Sequence, residues 1–330
     1  MENELNLVAL AQHFSDEDKA REFLEKLRWP DGPVCPHCGV VDNAYRLEPT
    51  TKSKKDTHVR KGVWKCGGCR EQFTVTVGTI FADSHIPLSK WLLAFHLLCA
   101  SKKGISAHQL HRMLKLTYRS AWFMAHRIRY AMSQEPLSSK LQGIIEVDET
   151  YVGGRFRHYI PRATKPGQRP QDQRNPVENK AAVVSVLQRG GRVQSQHVQR
   201  VTADNLRTIV HQMVDEDAHV MTDSATVLKG ALLKRKHSQV NHREKEYARY
   251  ENGVCISTNT IEGYFATLKR GINGVYHQVG KQHLHRYLTE FDFRYNSRKE
   301  KDGDRTLLAI KGVGGKRLML RDSIGNKQVQ

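Results

Sequence analysis

Glu146, Asp148 and Glu149 lie within four positions of one another in IIEVDETY, a stretch whose alternation reads as a β-strand although acids are depleted from strands. Alternation sets Glu146 and Asp148 on one face and Glu149 on the other, so spacing alone does not choose among them. Asp223 ends a second apolar run, HVMTDSA, at a strand end of the kind where ligands gather. Glu262 lies just inside a helical stretch, STNTIEGYFATLKR, with Lys269 seven residues on and therefore on the same helical face. Acids from two strands and a helix, far apart in sequence, could converge to hold two hard divalent cations, Mg²⁺ or Mn²⁺, as phosphoryl transfer requires. One cation would activate a water or a 3′-hydroxyl, and the other would stabilise the leaving oxygen. Plainer roles stay open at this point: Asp223 as a helix N-cap, and Asn259 with Glu262 as a capping box.

A second metal site is written in cysteines. Cys35-Pro-His-Cys38 and Cys66-Gly-Gly-Cys69 are two knuckles, each placing two thiolates on one tight turn. Four thiolates make a closed tetrahedral site for one structural Zn²⁺, with no position left for catalysis. A redox dithiol needs only one such pair, and His37, lying between two better ligands, reads as a bystander. Cys99 and Cys255 stand alone. Lys and Arg outnumber Asp and Glu by 53 to 34, giving a formal charge of +19, so the expected partner is a polyanion. Nucleic acid fits better than a membrane, because no apolar run approaches the roughly 20 residues of a spanning helix. Met1 opens no signal-peptide pattern, and the expected location is the cytoplasm, in association with the nucleoid.

The elements that must position these groups can be read from periodicity. Residues 15–28 form an amphipathic helix with Ser15 as its expected N-cap, and the basic stretch 51–61 between the cysteine pairs reads as a hairpin tip. From Ser89 to Met132 three helices, with a tight turn near Leu116 and Thr117, suggest a helix-turn-helix whose last helix enters the major groove; a plain helical bundle is the alternative. Tyr118, Arg119 and Arg127 are its candidate surface residues. Strands are expected at 143–153, 181–188, 191–201 and 218–225, with Gly190-Gly191 turning a hairpin. NLRTIVHQMV and VLKGALLKRK read as helices on either side of the fourth strand, and a long helical region runs with breaks from Asn259 to about Arg298. Strands followed by a helix crossing to a further strand indicate a mixed α/β sheet. Residues 155–180 hold seven Arg or Lys against two acids, with four prolines, so they read as a basic loop in which Arg155 and Arg157 are candidate DNA contacts. The expected organisation is an N-terminal helix with a zinc ribbon over 1–85, a helical DNA-binding or linker segment over 86–136, a catalytic domain over 137–300 and a tail over 301–330.

The stretches WPDGPVCPHCG, WKCGGC, REQFTVTVGTIF, PLSKWLLAFHLL, IIEVDETYVGG, MTDSA, STNTIEGYFATLKRGINGVYH and YLTEFDFRYNSR, taken together and in this order, resemble bacterial insertion-sequence transposases that join a zinc ribbon to an ISXO-type DDE domain. The similarity runs from about residue 13 to 300. It implies a ribonuclease-H-like core, metal-dependent strand cleavage at transposon ends and attack by the freed 3′-hydroxyl on target DNA. By position, Asp148 and Asp223 match the two aspartates of the motif, Glu262 the glutamate and Lys269 the lysine after it. Some relatives use an asparagine in the third role, which makes Asn259 the backup ligand. Lys269 and Arg270 are then candidate phosphate contacts. The implied partners are double-stranded DNA, as terminal inverted repeats and target, and further copies of the chain, at least a dimer in the synaptic complex. A ribonuclease-H-like nuclease that never joins strands and a non-catalytic zinc-ribbon regulator are the competing readings.

Overall fold

A computed structural model describes residues 7–14, 16–47, 61–133, 140–153, 180–223 and 235–324 of the chain. They divide into two compact units, Met1–Gln134 with Ser297–Gln330, and Glu135–Asn296. Ser15, most of the basic stretch 51–61, nearly all of the stretch 155–180 expected as a loop, with Arg155 and Arg157, and the VLKGALL stretch expected as a helix lie outside the described residues.

In the first unit, α1 (Leu7–His13) precedes α2 (Glu17–Arg28). Asp16 caps α2 by accepting from the Asp18 amide at 2.9 Å, so the capping side chain lies one residue after the expected Ser15. The cysteine segment folds as a three-stranded antiparallel sheet of β1 (Ala44–Arg46), β2 (Trp64–Cys66) and β3 (Gln72–Phe73). Trp29, directly after α2, packs edge-on against Trp64 and Phe73 and gives the small sheet an apolar floor. The two knuckles meet as expected. Cys35 and Cys69 sulfurs are 3.6 Å apart, as are those of Cys38 and Cys66, and all four lie within 4.8 Å of one another. Tetrahedral zinc–thiolate bonds demand a sulfur separation of about 3.8 Å, so these four residues fit zinc. The clustered thiols split: the Cys69 amide brings Cys66 down to about 6, while Cys69, against the Glu71 amide, is pushed up to about 12 by burial and the neighbouring thiols.

Three helices follow: α3 (Leu88–Ala100), α4 (Ala107–Leu114) and α5 (Tyr118–Ala131). Leu88 and Ser89 donate their amides to the Glu17 carboxylate, so α2 supplies the cap that Pro87 cannot. Lys115 closes α4 in the left-handed conformation, and the Thr117 hydroxyl caps α5 through the Ser120 amide. The turn between α4 and α5 is thus the tight one expected near Leu116 and Thr117. Helix Asp302–Lys311 packs on α3, with Thr306 hydrogen-bonded to the buried His96 and Arg305 donating to the Cys99 carbonyl.

The second unit is built on one mixed sheet. β4 (Ile144–Val152), β5 (Ala181–Gln188) and β6 (Val193–Val198) are antiparallel neighbours. After α6 (Ala203–Met213), β7 (His219–Asp223) lies parallel to β4, and β8 (His237–Val240) parallel to β7. The order β6-β5-β4-β7-β8 is the mixed arrangement of a ribonuclease-H-like core. Gly190, at φ +74°, turns the hairpin between β5 and β6 where the paired glycines place it. A further hairpin, β9 (Ala248–Glu251) and β10 (Val254–Ser257), turns on Asn252-Gly253, both at positive φ, before α7 (Asn259–Gly271). A π-helical turn, Ile272–Tyr276, then leads on to α8 (Leu284–Asn296).

Each face of the sheet has its own core. Ile145, Val147, Val184 and Val186 pack with Leu206 and Val210 of α6, while Val183 and Leu187 pack with Ile261 and Leu268 of α7 and Phe291 of α8. β5 is buried on both faces from Ala181 to Leu187, which is why that stretch is apolar apart from Ser185. Asp292 of α8 accepts from the Ser195 amide and hydroxyl and from the Tyr264 phenol, and Asn296 bridges the Val193 backbone in both directions, so α8 is pinned to edge strand β6. Because the ribbon has a sheet of only eight residues to hold it, zinc carries its stability: Cys66→Ser should abolish stoichiometric zinc binding and loosen the Trp29–Trp64 packing, read by metal analysis and tryptophan fluorescence.

Candidate active site

β4 and β7 are neighbours and parallel, with Glu146 paired to Met221; the same register carried two residues on sets Asp148 level with Asp223. Both carboxylates therefore leave the sheet side by side. Asp148 shares its face with Glu146, the face that α7 and α8 cover, whereas Val147 and Ile145 turn toward α6. Burial, and then the like charges of Glu149, Asp223 and Glu262, push the Asp148 carboxyl up to about 7, against a hydrogen bond from the Glu149 amide at 2.8 Å. Burial is the larger cause, and the charges of Asp223 and Glu262, distant in sequence, reach the same carboxyl. Glu149, on the opposite side of the strand, is also raised by burial and by Asp223, and its buried Oε2 has no hydrogen-bond partner among the described residues. The acids are not drawn into a closed cage: among the described residues, the four cysteines are the one group of three or more such side chains whose ligand atoms all lie within 4.8 Å of one another.

Glu146, which spacing could not separate from Asp148, has a different task. It is fully buried, and its Oε1 is held by Arg189 Nε at 2.9 Å and Nη2 at 2.8 Å, while Oε2 accepts the amide of Ile261 at 2.8 Å. Ile261 is the third residue of α7, so a strand carboxylate caps that helix and meets the positive end of its dipole. Thr258, at the N-cap position itself, makes no side-chain cap bond. Arg189 continues the clamp, donating to the carbonyls of Cys255 and Ser257 and to the Ser257 hydroxyl. The β5–β6 turn, β4, β10 and the start of α7 are thereby fixed to one guanidinium.

Glu262 stands one residue beyond that anchored amide. The capping box with Asn259 does not form, because Asn259 is already the first helical residue. Glu262 is instead a half-exposed carboxylate, 46% accessible, accepting at Oε1 from the Thr258 hydroxyl at 3.1 Å and lying 3.1 Å from His242 Nε2. His242 was not singled out by sequence; the residues around it carry no periodicity that marks it, and only the fold sets it beside Glu262. Asn259 is exposed at the head of the same helix, and Lys269 and Arg270 are exposed in its last turn. The N-cap reading of Asp223 depends on residues outside those described.

Residues 140–296 match the ISXO2-like transposase domain, and residues 15–72 match the transposase zinc-ribbon domain. The chain belongs to the ISXO2-like transposases that carry a zinc ribbon. It is also similar to an uncharacterized protein in transposable element ISH50 of Halobacterium salinarum, 23% identical over 301 residues that cover 85% of this chain and 91% of that one.

A transposase must hold DNA, and α4 and α5 offer a surface suited to it. Between Asp83 and Glu135 the sequence contains no acid, and Lys102, Lys103, Arg112, Lys115 and Arg119 are all exposed. Tyr118 is 45% exposed and stacks on His108 at the head of α5. Arg127, expected on this surface, is instead buried: its guanidinium lies over Phe123 and donates to the carbonyls of Leu318, Ile80 and Ala82. It holds loops together and is not free for phosphate. Among the described residues no helix is long and apolar enough to cross a membrane.

Two outcomes follow from the carboxylates. Glu146→Gln leaves Arg189 without its counter-charge and should cost about 3–5 kcal/mol in urea unfolding, with Glu146→Gln/Arg189→Met costing less than the sum of the two single changes. Asp148 has a folded value of about 7 against an ordinary 3.8, so its contribution to stability is full below about pH 4 and is lost as pH rises through 7. Without divalent ions, Asp148→Asn should therefore melt above the parent protein at pH 8, with the gap closing toward pH 4.

Proposed function

We propose that this transposase cuts DNA at transposon ends and joins the freed 3′-hydroxyl to target DNA, using Asp148, Asp223 and Glu262 to hold two divalent cations, Mg²⁺ or Mn²⁺. The observation that supports the proposal is the placing of Asp148 and Asp223 on neighbouring parallel strands, with the charges of Asp223 and Glu262 felt at the buried Asp148 carboxyl. Carboxylates crowded at a partly buried site are what a divalent ion relieves, and a Glu149 oxygen that has no hydrogen-bond partner among the described residues adds to the crowding. Bound there, such ions would supply Lewis acidity to the scissile phosphate and favour the ionised form of the attacking oxygen. Asp148 and Asp223 leave rigid parallel strands and define the site, while Glu262 completes it from α7.

Glu262 is the third ligand in this reading, because it is charged and is felt by Asp148; Asn259, three residues earlier on the same face, is the reserve. Lys269 and Arg270 follow along α7 and contact phosphate oxygens. Tyr118 and Arg119 at the head of α5 contact the terminal repeats, and residues 137–300 form the catalytic domain. The relative from transposable element ISH50 supports a mobile-element setting. Strand transfer requires two ends to be paired, so a dimer or larger assembly of the chain is the working form.

Purified protein, Mg²⁺ and DNA bearing the inverted repeats that flank the gene make the test. Asp148→Ala and Asp223→Ala should each lower end cleavage by at least about a hundredfold, since each removes a ligand and its charge. Glu262→Ala should match them and Asn259→Ala should stay near the parent level; the reverse pattern would move the third ligand to Asn259. Nicked ends that are never joined would mark a nuclease, and full activity of Asp148→Ala would reject the metal site.

A further inference from the structure

Tyr247 is 60% exposed in the segment that joins β8 to α7. Its ring centroid lies 5.7 Å from that of His242, with the planes tilted by 43°. His242 opens a single 3₁₀ turn, His242–Glu244, and its Nε2 is 3.1 Å from both Glu262 Oε1 and Thr258 Oγ1. The Thr258 hydroxyl donates to Glu262 Oε1 and keeps lone pairs to accept from the imidazole, so His242 has two polar partners at one nitrogen and a single orientation. The imidazole packs against the Tyr247 ring. The small core beneath the hairpin is made by Met221, Val240 and Ile256 with Ile144 and Val254, and it does not use this ring. An aromatic pair thus stands at the solvent edge with its histidine oriented by hydrogen bonds, one side chain away from a carboxylate of the candidate metal site.

Resting on the metal-site reading above, the geometry points to a nucleobase platform: His242 and Tyr247 receive an unstacked base of the nucleotide next to the scissile phosphate. A phosphate that meets cations held by Glu262, Asp148 and Asp223 would bring the adjoining base within reach of the two rings. Bases inside a duplex have both faces covered by stacking, so the platform takes one that has left the helix. Stacking on aromatic side chains is tolerant of sequence, because each base offers a π face, and it suits a site next to the chemistry where the end must be frayed or splayed. The exposed Lys245 on the same segment supplies positive charge for the strand that carries the base.

The test uses the full chain, with Ca²⁺ in place of Mg²⁺ so that no strand is cut, and two probes: a short duplex with a single-stranded thymidine overhang, and the same duplex with an abasic overhang. The parent protein should bind the thymidine probe about tenfold more tightly than the abasic one. Tyr247→Ala, Tyr247→Leu and His242→Ala should lose that preference. Tyr247→Phe should keep it, as should Tyr250→Ala, a more exposed tyrosine farther along the hairpin. Equal binding of both probes by the parent, or a preference that survives Tyr247→Ala, would overturn the platform. Binding that gains from Ca²⁺, and loses that gain in Asp148→Asn, reports on the metal site separately. A parent protein that shows no base preference while its Ca²⁺ effect is intact would reject the platform alone; a Ca²⁺ effect untouched by Asp148→Asn, in a parent that keeps the preference, would reject the metal site alone.

Discussion

The Glu146–Arg189 pair is the constraint on which the geometry of the catalytic unit depends. A fully buried carboxylate is costly unless each of its oxygens is answered, and here one is held by a guanidinium and the other by the third amide of α7. The same guanidinium ties down the carbonyls that lead from β10 into that helix. Strand β4 therefore does more than carry Asp148. Two residues before that acid, it fixes the start of the helix that carries Glu262, so the distance between them is set by one buried ion pair and not by a flexible connection.

That arrangement explains why the acids sit close without forming a tight cage. Asp148 and Asp223 belong to neighbouring strands whose separation is set by the sheet, while Glu262 is restrained by Thr258 and His242 at the edge of solvent. Burial and the neighbouring acids disfavour the ionised Asp148 carboxyl, so the proposed metal site lowers stability at neutral pH. The zinc ribbon reverses this logic. Its four thiols lie within bonding distance of a common centre, and a metal there completes a fold too small to bury much apolar surface.

Much of this was legible in the residues. The runs at 144–152, 181–188 and 219–223, the paired glycines at the β5–β6 turn and the cysteine spacing each carry a local signature, and each appears where that signature puts it. β8 to β10 were not read, because His237–Val240 is a polar edge strand with little alternation, and the Asn252-Gly253 turn lies in a charged stretch without apolar flanks on both sides. Arg127 was misplaced for a related reason. Charge on a helix suggests solvent, and nothing local reveals that Ile80, Ala82 and the distant Leu318 cover it with carbonyls. The division of labour between Glu146 and Asp148 needed Arg189 and Ile261, residues 43 and 115 positions away. The third role is the point where local and distant readings diverged most: a capping box accounted for Glu262 on sequence, and the helix start at Asn259 removed that account.

The most direct measurement is a count of Mn²⁺ ions bound per chain by electron paramagnetic resonance on zinc-loaded protein without DNA, comparing the parent with Asp148→Asn and Asp223→Asn. The carboxylate site predicts Mn²⁺ binding that strengthens as pH rises through about 7 and falls sharply in both variants, with the zinc content unchanged. Mn²⁺ binding that is the same in parent and variants would contradict it.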